Sequence, residues 1–91
     1  MPAATYIKLH VVKQLGCGAC AEADPHLREL RRRHPLDVFI VEHYLDVRPD
    51  LTLGGWKPTA TPAYVLLDGE KLVKKKVGLL TADQLEVWLG G

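Results

Sequence analysis

Residues 15–26 read LGCGACAEADPH, two cysteines three positions apart between glycines. The residues beyond them have the period of a helix. Ala23, Leu27 and Leu30 recur at i, i+4 and i+7, while Glu22, Arg28, Glu29, Arg31 and Arg32 occupy the other faces. This pattern predicts an amphipathic helix over residues 18–33. Upstream, ATYIKLHVV (4–12) is β-rich, and Tyr6 or Ile7 through Val12 is long enough for a buried strand. Downstream, LDVFIVEHYLD (36–46) is β-branched and nearly continuously apolar. That composition predicts a central strand shielded on both faces. Strand, helix, strand implies a right-handed parallel βαβ unit.

Further along, VRPDLTLGGWKPTATP carries Pro49, Pro58, Pro62 and the Gly54-Gly55 pair. It supports at most a short helix around 49–54 within a long loop. AYVLLDGEKLVKKKV then reads as two strands around Asp68-Gly69, a strong signal for an antiparallel hairpin. Finally, Thr81 and Gln84 have capping-box spacing, followed by Leu85, Trp88 and Leu89 on one face and Gly90 as a stop. The predicted order is β-α-β-(α)-β-β-α, an α/β fold with a four-stranded mixed sheet. There is no internal repeat.

Composition narrows the classes of function. Ninety-one residues, 47% of them hydrophobic, fit one domain with one small core, spanning 1–91. Twelve basic residues against eleven acidic ones lack the footprint of a nucleic-acid or anionic-membrane binder. The opening MPAATYIKLH has no apolar h-region, and no apolar run approaches the roughly 20 residues needed to cross a bilayer. A cytoplasmic monomer is expected. In a reducing compartment, a C-x-x-C pair more often serves catalysis or metal binding than structural cross-linking.

The chemistry depends on where the cysteines stand. At a helix start Cys17 meets unsatisfied backbone N–H groups and the positive end of the dipole, which favour thiolate over thiol. Such sites lower a cysteine pKa from about 8.5 to as little as about 3.5–7.5. Cys20, one turn further in, can reach back to Cys17. The pair can therefore run thiol–disulfide exchange, with Cys17 attacking and Cys20 resolving. Structural zinc is disfavoured because His10, His26, His34 and His43 offer no paired-ligand spacing to complete a four-ligand set. A cluster shared between two chains through four thiolates, and an inert pair of thiols, stay open as alternatives. No cofactor is expected.

These separated features together resemble the thioredoxin-like superfamily, in its compact thioredoxin and glutaredoxin-like forms. CGAC resembles the thioredoxin active site, and Pro25, five residues after Cys20, falls where thioredoxins carry a helix-kinking proline. TATPAYVLLDGE resembles the segment with the cis-proline, strand and turn, and KVGLLTADQLEVWL the final strand, glycine and helix. The resemblance spans residues 6–89. It implies a cis bond before Pro62, a Thr61 backbone presented to an extended substrate, and a groove opened at Gly78. It also implies disulfide-containing protein substrates, with a thiol reductase or a low-molecular-weight thiol as electron donor.

Departures mark where the analogy loosens. Thioredoxins usually place tryptophan before the first cysteine and proline between the two; here stand Gly16 and Ala19. The acidic residue usual six positions before the first cysteine is replaced by Val11. Glu42, where the family often has lysine, is the candidate substitute proton acceptor for Cys20, against an alternative as a solvated or ion-paired surface group. The glycine pair with acidic residues that holds glutathione in glutaredoxins is absent after the last strand, where VGLLTAD stands instead. Dithiol exchange is therefore expected ahead of glutathione-dependent chemistry. A binding or chaperone module on the same fold is the competing class. The RRR at 31–33 reads as a dipole-complementing helix end, KKK at 74–76 as a guard on an edge strand, and Trp56 as either a substrate contact or a loop anchor.

Overall fold

A computed structural model describes residues 7–90, so the expectation for residues 4–6 lies outside the described residues. Four strands, β1 (Ile7–Lys13), β2 (Val38–Tyr44), β3 (Ala63–Asp68) and β4 (Lys71–Val77), accompany two helices, α1 (Gly18–Arg33) and α2 (Ala82–Gly90). The sheet order is β2-β1-β3-β4. β1 runs parallel to β2 and antiparallel to β3, and β3 pairs antiparallel with β4. The sheet is mixed, as the pattern predicts. Among the described residues, no helix is long and apolar enough to cross a membrane.

Period-two alternation sorts the strands onto two faces. Leu9, Val11 and Tyr64 join Leu27 and Leu30 of α1 and Leu85 of α2 in one buried cluster. Both helices cover that face. Val12, Ala63 and Val65 point the other way and are covered by Leu51 and Leu53 of the 45–61 loop, with Trp56 packed alongside. Trp56 is thus a loop anchor, its ring lying 4.5 Å beneath Lys75 Nζ.

Two expectations need correcting. No helix forms over 49–54; the segment turns instead, and Leu53 and Trp56 close an isolated antiparallel bridge. Prolines and paired glycines leave too few consecutive helical donors to nucleate a turn of helix. Nor is β2 central. It is an edge strand with Phe39 and Tyr44 partly exposed, and Leu36 and Asp37 belong to the preceding turn. A nearly apolar run cannot by itself distinguish a strand covered on both faces from an edge strand.

Elsewhere the local signals form the contacts they predict. The Thr81 N–H donates to Gln84 Oε1 (2.9 Å) and the Gln84 N–H donates to Thr81 Oγ1 (3.1 Å), a reciprocal capping box. The hairpin turns through Gly69 and Glu70, closed by the Asp68–Lys71 pair, with Gly69 at φ +65°. β4 is the other edge, and its lysines stand there as expected. At the end of α1, Arg32 and Arg33 bond Glu29, and Arg33 reaches across to Asp83 and Glu86 of α2. Hydrogen bonds from Arg32 and Arg33 hold the Glu29 carboxyl down at about 2.

Candidate functional site

The site is assembled at the end of the sheet where β1 leaves for α1. Gly16, at φ +76°, turns the chain in a conformation that side-chain-bearing residues rarely adopt. The Leu15 N–H donates to Asp46 Oδ1 at 2.8 Å, tying this turn to the segment after β2. Cys17 then caps α1: the Cys20 N–H donates to Cys17 Sγ at 3.1 Å. This places the first sulfur on one of the helix's orphan donors. Cys17 and Cys20 are joined as a disulfide, with Cα atoms 5.2 Å apart. Cys20 is 4% exposed whereas Cys17 is half-buried, so the outer sulfur is the accessible one.

A second segment faces the cysteines. The Thr61–Pro62 bond is cis, and Cys17 Sγ lies 3.6 Å from the Thr61 carbonyl oxygen. The Pro62 carbonyl accepts the Gly78 N–H at 2.8 Å, which fixes the end of β4 beside the cis bond. Gly78 has φ +112°, and a Cβ there would meet nothing within 4 Å. Its need for glycine is therefore conformational, and the space beside it is open. The structure brings Cys17, Cys20, Thr61, Pro62 and Gly78 to one place.

Glu42 sits differently. It lies on β2 beneath α1, where Lys13 Nζ is 2.6 Å from its Oε1 and Arg31 is 3.2 Å from its Oε2. Lys13 also binds Asp24 Oδ1 at 2.6 Å. The Lys13 side chain is only 8% exposed, so its charge is committed to these two carboxylates. Burial works against the ammonium, but the hydrogen bonds it donates to Asp24 and Glu42 prevail and raise Lys13 to about 12. The Lys13 hydrogen bond, with Arg31 behind it, holds Glu42 below the ordinary carboxylate range against the opposing effect of burial. Sequence reasoning missed Asp24 in this cluster. Its signal was available: Asp24 lies four residues after Cys20, one turn along the same helix face.

Replacing Lys13 by methionine keeps the buried stem and removes the charge. The step from 10.5 to about 12, at about 1.4 kcal/mol per tenfold in proton affinity, sets an upper value of about 2 kcal/mol of lost stability. Screening at the partly exposed carboxylates lowers it. Because the folded-state value is raised, the stabilisation is full below pH 10.5 and lost as pH rises through about 12. Urea unfolding of Lys13→Met and the parent protein should therefore differ at pH 7 and converge over that alkaline window. A gap that persists through it would show that the lysine acts through packing alone.

No protein-family model matches the chain, and no curated protein matches it in sequence. Similarity lies in the fold. A solved structure of thioredoxin-2, described as a component of the malaria parasite protein secretion machinery, superposes with TM-score 0.82 at 14% identity. The match covers 93% of this chain and 82% of that one. A second, described as the structure of a malarial protein, gives TM-score 0.81 at 14% identity, covering 93% and 94%. The chain has a thioredoxin-like fold and carries a C-x-x-C pair where its first helix begins.

Proposed function

We propose that this thioredoxin-fold chain is a thiol–disulfide oxidoreductase that reduces disulfides of client proteins in the cytoplasm. The observation that carries the reading is the placement of Cys17 Sγ, on the Cys20 amide at the start of α1 and 3.6 Å from the carbonyl of the cis Thr61–Pro62 segment. One side supplies a stabilised sulfur, the other the Thr61 backbone, which lies outside the paired residues of β3 and against which an extended peptide can lie.

The steps balance. From the dithiol state, the Cys17 thiolate attacks one sulfur of the client disulfide, forming a mixed disulfide and releasing one client thiolate. Cys20 loses its proton, and its thiolate attacks Cys17 Sγ. The mixed disulfide breaks, the second client thiolate leaves, and the Cys17–Cys20 disulfide remains. Two electrons pass to the client. A thiol reductase or a low-molecular-weight thiol returns them. Glu42 is the proton acceptor in this reading; since two cations hold it low, it acts only when Lys13 yields it.

The test is insulin reduction, followed by recovery of the dithiol with a thioredoxin reductase or with glutathione. Catalytic turnover with either donor is expected, and which donor works separates dithiol exchange from glutathione-dependent chemistry. Failure with every reductant, in a protein of normal fold stability, would instead favour a binding or chaperone module. The same assay on Glu42→Gln across pH tests the acceptor: an unchanged profile removes Glu42 from the reaction.

A further inference from the structure

Away from the cysteines, the fold brings together two side chains separated by 33 positions in sequence. His10 stands opposite Val41 and His43 opposite Val12 in the parallel β1–β2 pair, so the two are diagonal neighbours. Their alternation puts them on the face of Val12, away from the helices. The rings stack at 18° with centroids 5.2 Å apart, and His10 Nδ1 lies 3.0 Å from His43 Nε2. Both are half-buried.

We propose that His10 and His43 form a bidentate site for a divalent first-row transition metal, with Cu²⁺ or Ni²⁺ preferred to Zn²⁺. Imidazole nitrogen is a standard ligand for all three ions. An ion about 2.0–2.1 Å from each nitrogen, with those nitrogens 3.0 Å apart, subtends an angle of about 95°. That is close to the cis angle of the tetragonal geometry taken by Cu²⁺ and Ni²⁺. A tetrahedral Zn²⁺ would need the nitrogens to part to about 3.3 Å.

The protonation state suits a ligand pair. A hydrogen bond between two imidazoles requires one ring to donate and the other to accept, so the accepting ring is neutral. Burial first, then His43 and Lys8, lower the His10 pKa, and burial with Arg48 lowers that of His43. Chelation replaces the shared proton: the donating nitrogen gives it up while its ring gains one at the other nitrogen, and each ring turns its lone pair to the ion. A neutral pair therefore binds without net proton release. The anchoring is stiff, because β1 is an interior strand and Val12, next to His43 across the pair, is fully buried. Water fills the remaining positions, since the described residues hold no group of three or more histidine, cysteine, aspartate or glutamate side chains placed for a metal. Two protein ligands, with Lys8 and Arg48 opposing the ion, make this an open site of modest affinity.

The test uses the full chain with Cys17 and Cys20 kept as the disulfide, so that thiolates do not compete and the result is independent of the redox reading. Calorimetric titration with NiCl₂ and ZnCl₂ should give one saturable site per chain, tighter for Ni²⁺. The electron paramagnetic resonance spectrum with Cu²⁺ should show two coordinated imidazole nitrogens in the unmutated protein. His10→Asn and His43→Gln should each weaken Ni²⁺ binding at least tenfold, while His26→Asn and His34→Gln leave it unchanged. Absence of saturable binding at millimolar metal, fewer than two imidazole nitrogens on Cu²⁺, affinity for Zn²⁺ above that for Ni²⁺, or binding that survives either β-strand substitution overturns the proposal.

Discussion

Cys17→Ser is expected to abolish disulfide reduction, lowering the rate by at least about a thousandfold, because a serine hydroxyl neither ionises near neutral pH nor exchanges with a disulfide. Cys20→Ser should fail in a different way. Its Cys17 still attacks, but nothing resolves the product, so the mixed disulfide accumulates. Intact-mass measurement after incubation with a disulfide client should find the client joined to Cys17 in Cys20→Ser and no adduct in Cys17→Ser. The asymmetry comes from burial: Cys20 is 4% exposed and packed into α1, whereas Cys17 caps the helix at the open end. The reverse pattern, with adduct only on Cys20, would exchange the two roles.

A comparably large effect on stability is expected at Gly54. Its φ is +60°, and a Cβ built there would lie 2.8 Å from both the Leu72 Cβ and the Leu72 backbone nitrogen, and 2.9 Å from Leu67 Cδ2. Backbone cannot step aside as a flexible side chain can. Gly54→Ala thus combines about 1–2 kcal/mol for the left-handed conformation with about 1–3 kcal/mol for overpacking. Gly55 is the control, at φ +82° with nothing within 4 Å of its added Cβ. Gly55→Ala should cost only the conformational part. In thermal unfolding of a domain this size, where 1 kcal/mol moves the midpoint by about 4–8 °C, Gly54→Ala should lose about 10 °C or more and Gly55→Ala roughly half that. Equal losses would show that the loop does not rest on the hairpin.

Much of this architecture is written in short-range signals. The helix period after Cys17, the hairpin at Asp68-Gly69 and the Thr81–Gln84 box each describe contacts between near neighbours, and each forms, the hairpin turn one residue later, through Gly69 and Glu70. The cysteine pair is legible from its spacing at a helix start, and the cis Thr61–Pro62 bond from its resemblance to a known arrangement. What escaped depends on distant pairings. β2 reads as central because its apolar residues suggest two covered faces, and only the strand order shows that it lies at the edge. Asp24 meets Lys13, and His10 meets His43, through the packing of α1 on the sheet and the register of β1 with β2. No local period encodes such a register, so the histidines looked isolated along the chain.

The two coverings of the sheet differ in kind. α1 and α2 satisfy their own backbones and are tied to each other through Arg33, whereas the 45–61 segment is held by turns, one isolated bridge and tethers at its start, from Leu45 to Lys13 and from Leu15 to Asp46. Local opening draws on the elements with the fewest such bonds, so fluctuations should concentrate in the non-helical cover. That cover runs directly into Thr61 and Pro62. Under the proposed exchange with protein disulfides, the helical side would hold the sulfurs in register while the 45–61 side adjusts to the contour of each incoming chain. Tolerance for varied clients would then reside in the proline side of the cleft, with reactivity held constant by the helix.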